Sequence, residues 1–239
     1  MSTAPQDPAP RSGAIAAGLW VVIAAYQEAS RLPATLRSLC PRYSNVVVVD
    51  DGSSDATLEA ALGFPVWVLR HPINCGQGAA LRTGIAFAVE RGAAVVVTFD
   101  ADVQHDAGEI PRMVAPIAEG RADAVLGSRF LGQLVGIPWT RRLVLLGGVL
   151  FTRIFSGVRV TDTHNGFRAF SRSAAEQIRF AQDRMAHASE IIDQLRVLQL
   201  KFCEVPVTIR YTEATLAKGQ SSWNAIKIAG QLLLGRLLR

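Results

Sequence analysis

Runs of adjacent apolar residues, rather than an alternation of apolar and polar positions, dominate the first half of the chain. Segments 19–26 (LWVVIAAY), 46–49 (VVVV), 65–71 (PVWVLRH), 93–100 (AAVVVTFD) and 122–130 (ADAVLGSRF) each read as a buried strand. Between them the period lengthens to that of a helix. In SRLPATLRSLC (30–40), Leu32, Leu36 and Leu39 share one face, and GQGAALRTGIAFAVERG (76–92) and AGEIPRMVAPIAEG (107–120) continue the alternation. Strands without an exposed polar face need cover on both sides, which is the situation of a parallel sheet between helical layers. The pattern predicts an α/β fold with a single doubly wound, mostly parallel sheet flanked by helices, and ligands in such sheets bind beyond the carboxyl ends of the strands.

The second half is less regular. RRLVLLGGVLFTRIFSG (141–157) has helical spacing, VTDTHNGFRAFSR (160–172) is a polar loop entering a strand, HASEIIDQLRVLQL (187–200) reads as a helix and KFCEVPVTIRY (201–211) as a strand. No repeat or proline-rich linker divides the halves, so residues 19–221 are expected to form one domain. Residues 1–18, rich in Pro, Ala, Gly and Ser, read as a disordered leader. Residues 222–239 (SWNAIKIAGQLLLGRLLR) place Trp223, Ile226, Leu233, Leu234 and Leu237 among Lys227, Arg236 and Arg239, an amphipathic helix suited to a membrane interface or to packing on the core. No run of about 18 uninterrupted apolar residues is present to predict a spanning helix.

Composition narrows the choice of partner. At 239 residues and 49% hydrophobic content the chain can build a substantial core. Its three cysteines, Cys40, Cys75 and Cys203, are widely spaced, which suggests neither a zinc ribbon nor a disulfide framework and fits a reducing compartment. A formal charge of +5 favours an anionic partner. Nucleic acid is disfavoured because no basic run with interleaved aromatics or recognition signature accompanies the charge.

Candidate chemistry gathers where the apolar runs end. FDADVQHD (99–106) sets Asp100 and Asp102 on one side of the chain, an arrangement that like charges resist unless a cation intervenes. Oxygen ligands of this kind suit Mg2+ or Mn2+, with Gln104 available as a neutral donor and Asp106 as a cap for the following helix. In VVVVDDGSSDAT, Gly52 permits a tight turn, Ser53, Ser54 or Asp55 can cap a helix, and Asp50 or Asp51 is left to hydrogen-bond a base N–H. In NCGQGAALRTG, Gly76 and Gly78 precede a helix and could admit a phosphate, although a lone GxG is equally a structural turn. Arg129, Arg141 and Arg142 are candidates for a second phosphate, and His164 and His187 have no metal-ligand spacing.

Six ordered motifs, VVIAAYQEASRLPATLRSL, VVVVDDGSSDAT, NCGQGAALRTGI, FDADVQHD, LGSRF and DTHNGFRAF, resemble the inverting family 2 glycosyltransferases of GT-A fold. The dolichyl-phosphate mannosyltransferase and polyprenyl-phosphate glucosyltransferase branch is the most similar. The resemblance implies a nucleotide-sugar site (UDP- or GDP-hexose) at Ala25, Tyr26, Glu28, Asp50, Asp51, Gly76, Gln77, Ala101 and Lys218. It implies a metal, Mg2+ or Mn2+, on Asp100, Asp102 and Gln104. Ser128, Arg129 and Arg141 would receive the phosphate of a polyprenyl lipid, with Asp100, Asp102 and Arg129 carrying catalysis. The setting it implies is cytoplasmic and peripheral, at the inner face of the cytoplasmic membrane, with a small membrane protein as a further partner. Ala25 stands where the family commonly has Thr after Pro, Gln77 replaces a frequent Lys, and Lys218 stands in for an Arg ahead of a Gly.

A phosphate monoester, with a second pKa of about 6, is already anionic at neutral pH and needs no general base. A sugar hydroxyl as acceptor would need one, and Glu190 or Asp162 is the candidate. Two further readings are a nucleotidyltransferase and a non-catalytic sugar-nucleotide sensor. The first expects a Gly- and Arg-rich loop after its first strand, and AAYQEASR contains no glycine.

Overall fold

A computed structural model describes residues 18–135, 142, 145–149, 158–163, 165–178 and 187–211. Seven strands form one sheet: β1 (Leu19–Ala25), β2 (Val46–Asp50), β3 (Trp67–Arg70), β4 (Val95–Thr98), β5 (Ala124–Val135), β6 (Arg168–Ser171) and β7 (Phe202–Arg210). Helices among the described residues include α1 (Leu32–Leu39), α2 (Thr57–Leu62), α3 (Gln77–Glu90), α4 (Ile110–Ala118), α5 (Arg172–Gln177) and α6 (His187–Val197), with helical residues also at 145–149. The strand order is β3-β2-β1-β4-β6-β5-β7. The pairs β1/β2, β1/β4, β2/β3 and β5/β7 are parallel, whereas β6 runs antiparallel to both β4 and β5.

The Val/Ile runs behave as their pattern predicts. Alternate residues of β1 and β2 go to opposite faces, so Val21, Ile23, Val46 and Val48 pack with Leu32, Leu36, Leu39, Ile110 and Met113. Val22 and Val47 face the other way, against Leu81, Ile85, Phe170, Ile191 and Leu195. Both layers are buried, which is why β1, β2 and β4 carry polar residues only at their carboxyl ends, Asp50 in β2 and Thr98 in β4.

Two features were not legible in the pattern. The antiparallel course of β6 is one, because a four-residue buried strand has no periodicity that encodes direction. The other is the length of β5, which runs on to Val135 through a register shift between Ser128 and Gln133. That irregularity turns Ser128 and Arg129 inward, to 0% and 7% exposure. Residues 1–17 of the expected leader, and residues 212–239 with the expected terminal helix, lie outside the described residues. Among the described residues, no helix is long and apolar enough to cross a membrane.

The order places the topological switch between β1 and β4, where successive connections depart to opposite sides. Helix α3 covers this point and approaches closely through Gly84, where an added Cβ would lie 2.5 Å from Val22 Cγ1 and 3.1 Å from Val49 Cγ2. Gly84→Ala is therefore expected to destabilise the protein by about 1–3 kcal/mol through overpacking, despite alanine's higher helix propensity. A lower urea midpoint at unchanged slope would show it; an unchanged or raised midpoint would contradict the packing.

Candidate active site at the β1/β4 switch

The loop after β4 carries the two aspartates, and the structure brings them together in a mostly buried setting. Asp100 Oδ2 accepts from His105 Nε2 at 2.8 Å, and Gln77 Nε2 reaches Asp100 Oδ1 at 3.4 Å. The imidazole is itself wedged between Phe99 and Phe167, with ring centroids 5.3 and 5.1 Å away. Gly166 closes the other side of the carboxylate: a Cβ there would lie 2.7 Å from Asp100 Cγ. Its carbonyl is fixed by Thr98 Oγ1 at 2.6 Å. Asp102 Oδ1 accepts from Gln104 N at 3.1 Å, a tight turn that forces Val103 to φ 68°, a costly conformation for a β-branched residue.

The electrostatics of the pair are unequal. Burial pushes the Asp100 carboxyl up, but the His105 hydrogen bond together with the charges of Arg129 and Arg168 hold it below the ordinary carboxylate range. Asp102 is less well supported: burial, and then the charge of Asp100, push its carboxyl up to about 6 against the weaker opposing pull of His105, the Gln104 amide and Arg31. Burial pulls the neighbouring Arg168 guanidinium down to about 10, against the opposing pull of Asp100 and Asp162. One carboxylate is thus fixed and ionised while the other carries unrelieved repulsion. A divalent cation held by these two carboxylates would relieve it, and Asp102 Oδ2 has no hydrogen-bond partner among the described residues. The pair fits Mg2+ or Mn2+. Gln104 stands next to it by its backbone, its N–H on Asp102 and its carbonyl accepting from Arg210 N at 3.1 Å.

The second cluster differs from its sequence reading. Asp50 and Asp51 are 0% and 2% exposed; Asp51 is engaged by several donors, whereas Asp50 keeps one carboxylate oxygen, Oδ2, without a hydrogen bond. Asp50 Oδ1 accepts from Ser53 N at 3.1 Å, while Oδ2 lies 3.4 Å from Arg70 Nε without hydrogen-bond geometry. Asp51 accepts from His71 Nδ1 at 2.7 Å, Cys75 N at 3.0 Å and Gly76 N at 2.7 Å. The Gly76 amide, at φ 90°, is therefore spent on Asp51 rather than offered to a phosphate. Gly78 is buried inside α3. Ser53 and Ser54 make no bond to the start of α2, whose N-cap position is Ala56, but Asp55 does serve it, its Oδ1 accepting from Thr57 N, the first amide of the helix, at 3.1 Å. Ser53, Asp55 and Thr57 also hold the loop after β1. Gln27 N donates to Ser53 Oγ at 3.0 Å, Glu28 N to Thr57 Oγ1 at 2.8 Å and Ala29 N to Asp55 Oδ2 at 3.3 Å. Backbone amides of an irregular loop need partners, and the neighbouring loop supplies them. Asp106 does cap as expected, accepting from Gly108 N at 2.8 Å.

The remaining predicted residues spread around this edge. Ala25 is buried, its carbonyl accepting from Asp51 N at 2.8 Å, and Ala101 is buried with its carbonyl on Thr35 Oγ1 at 3.0 Å. Tyr26 is exposed, and the Glu28 carboxylate is gripped by Arg31 at 2.7 and 2.5 Å. The Ser128 hydroxyl is occupied by Thr161 Oγ1 at 2.6 Å and Leu131 N at 3.3 Å. Arg129 donates through Nε to Asp162 Oδ2 at 2.6 Å and through Nη1 to Tyr211 at 2.7 Å. Both are thus committed to neighbours rather than presented as an open phosphate cradle, and Asp162, clamped by Arg129, is not placed as a base. Arg141 and Lys218 lie outside the described residues. Glu190 sits in the first turn of α6.

Several residues that shape the site had not been singled out. His105 stood inside the aspartate motif, and Gly166 and Arg168 inside the polar run 162–168. Glu204 was signalled only as a lone charge in an apolar strand. It accepts from Thr161 N at 2.8 Å, Thr161 Oγ1 at 2.8 Å and Asp162 N at 3.2 Å, setting the loop that holds Arg129.

The sequence model described as Glycosyl transferase family 2 matches residues 20–179. A UDP-N-acetylglucosamine–dolichyl-phosphate N-acetylglucosaminyltransferase of Methanococcus voltae is 32% identical over 240 residues, covering 90% of this chain and 95% of the relative. A polyprenol monophosphomannose synthase of Mycolicibacterium smegmatis is 32% identical over 236 residues, covering 92% and 88%. Among solved structures, glucosyl-3-phosphoglycerate synthase of Mycobacterium tuberculosis, crystallised with Mn2+ and UDP-glucose, superposes with a TM-score of 0.69 at 19% identity over 95% of this chain and 82% of that one. That likeness shows the fold.

Two outcomes follow from the buried charges. Because the folded-state pKa of Asp102 is raised, its contribution to stability is present below the unfolded value near 3.8 and is lost as pH rises through about 6. In chelator, Asp102→Asn should therefore raise the melting temperature at pH 7.5 and change it little at pH 4; a fall at pH 7.5 would contradict the repulsion. Arg129→Ala removes the guanidinium paired with the buried Asp162 and should cost about 3–5 kcal/mol, measured by denaturant unfolding. A loss below about 1 kcal/mol would mark the pair as solvated.

Proposed function

This chain belongs to glycosyl transferase family 2, a glycosyltransferase of GT-A fold, and we propose that it transfers a hexose from UDP- or GDP-hexose to a polyprenyl phosphate with inversion at the anomeric carbon. The observation that carries this reading is the near full-length similarity to relatives whose names specify a dolichyl or polyprenol acceptor. The site chemistry supports it. A phosphate oxygen forms the new bond to the anomeric carbon as the bond from that carbon to the nucleoside diphosphate breaks, and the electron pair leaves with the diphosphate. The nucleophile arrives already ionised, so no base is required. A hydroxyl acceptor is less favoured, since Asp162 is locked to Arg129.

In this reading Asp100 and Asp102, with Gln104 beside them, hold Mg2+ or Mn2+, which stabilises the charge gathering on the departing diphosphate. His105, Gly166 and Gln77 fix Asp100 in place before substrate arrives, so that orientation is not lost at the moment of reaction. The nucleoside lies over the loops after β1 and β2, against the exposed ring of Tyr26. The acceptor phosphate approaches from the side of Arg129, with Arg141 and Lys218 as further cations. Residues 222–239 carry the chain to the inner face of the cytoplasmic membrane through their apolar and basic side chains.

Purified protein, assayed with a panel of UDP- and GDP-hexoses and a polyprenyl phosphate, is expected to form a lipid-linked sugar only with Mg2+ or Mn2+ present. Asp102→Asn should lower turnover at least about a hundredfold while remaining folded. Glycosylation of a soluble sugar hydroxyl, and never of polyprenyl phosphate, with any of these donors would overturn the assignment of acceptor.

A further inference from the structure

Asp51, His71 and Cys75 form a second cluster of metal-ligating side chains, away from the aspartate pair. Their ligand atoms all lie within 4.8 Å of one another. Asp51 leaves the end of β2, His71 the end of β3, and Cys75 the turn before α3, so three separate elements converge here. The carboxylate is buried and held by the backbone amides of Cys75 and Gly76, whereas the thiol is exposed, giving the cluster one fixed wall and one open side.

The imidazole is oriented from behind. Its Nε2 lies 2.9 Å from Thr83 Oγ1 and its Nδ1 2.7 Å from Asp51 Oδ1. Without a metal, Nδ1–H donates to Asp51 and Nε2 accepts from Thr83. When the proton sits on Nε2 instead, it donates to the threonine hydroxyl, and the Nδ1 lone pair faces the carboxylate. Two lone pairs face to face call for a cation between them. A hydrogen bond on the remote nitrogen is also the usual way a ligating histidine has its tautomer and ring plane set.

We propose that Asp51, His71 Nδ1 and Cys75 Sγ bind one zinc-class divalent cation, and that its occupancy and that of the nucleoside are mutually exclusive. One oxygen, one nitrogen and one sulfur donor suit Zn2+ or Co2+ and not Mg2+, which separates this site from the Asp100–Asp102 pair. Tetrahedral zinc, with bonds of about 2.0–2.3 Å, needs its ligand atoms roughly 3.3–3.8 Å apart, so Asp51 Oδ1 and His71 Nδ1, now 2.7 Å apart, must part by at least about half an ångström, while Cys75 Sγ, within 4.8 Å of both, draws in by up to about an ångström. Rotation of the exposed Cys75 side chain, whose Sγ now makes a 3.4 Å contact to Ile73 O, supplies that movement. On binding, the imidazole keeps its single proton, moved from Nδ1 to Nε2, and the thiol releases its proton to solvent. Three protein ligands leave a fourth position open toward the crevice. The exclusion rests on the nucleoside lying over the loop after β2; the metal site itself does not.

The test is titration of the purified full chain with Co2+ alone, followed by near-ultraviolet thiolate-to-cobalt absorption and by displacement with Zn2+. One equivalent is expected to give the band. Cys75→Ser, at an exposed position that leaves folding intact, should abolish it and weaken cobalt binding at least about a hundredfold, whereas Asp102→Asn and Cys203→Ser keep it. No band in the parent protein, or a band that survives in Cys75→Ser, overturns the site. Addition of UDP and GDP in separate arms should bleach the band in at least one. A band untouched by both overturns the exclusion and the placement of the nucleoside over Asp51, while leaving the metal site standing.

Discussion

The Asp100 carboxylate is the constraint around which this end of the molecule is built. A half-buried anion is stabilised by pairing, and Asp100 is paired with His105 at 2.8 Å, Gln77 at 3.4 Å and the fields of Arg129 and Arg168. Each support requires another. His105 keeps its position because Phe99 and Phe167 hold the ring. Gly166 comes close because Thr98 fixes its carbonyl, and Arg129 keeps its position because Asp162 clamps it and Glu204 sets the loop of Asp162. The insertion of β6 between β4 and β5 makes this possible, since it delivers residues 165–168 directly against the end of β4.

Asp102 shows the other side of the arrangement. It shares the burial of Asp100 but not its partners, and its carboxyl is pushed up to about 6. Unequal environments for two adjacent carboxylates leave one position where added positive charge is favourable and one where geometry is already set. This inequality is the physical support for the proposed divalent cation.

Much of this was legible in the chain. Unbroken Val/Ile runs gave a parallel sheet with two helical layers, and the aspartates at the end of 93–100 gave the site its centre. The acid pair Asp50 and Asp51 was legible as a cluster but not as a scaffold. Whether a carboxylate is free depends on which backbone amides a distant loop turns toward it, and Cys75 and Gly76 lie more than twenty residues away. The same holds for Ser53, Asp55 and Thr57, whose side chains also serve the loop after β1, Asp55 while it accepts from the first amide of α2. Arg129 was legible as a candidate phosphate ligand but not as the buried partner of Asp162, because its burial goes with the register shift in β5, a feature of strand pairing that residue type does not reveal.

The central claim is that an ionised phosphate displaces the nucleoside diphosphate directly at the anomeric carbon. The most direct measurement is the nuclear magnetic resonance of the lipid-linked product formed from an α-linked nucleotide hexose, read at the anomeric carbon and at phosphorus. The account predicts a β-configured sugar joined through a phosphodiester. An α-configured product, or a sugar joined through a hydroxyl with the phosphate still a monoester, would contradict it.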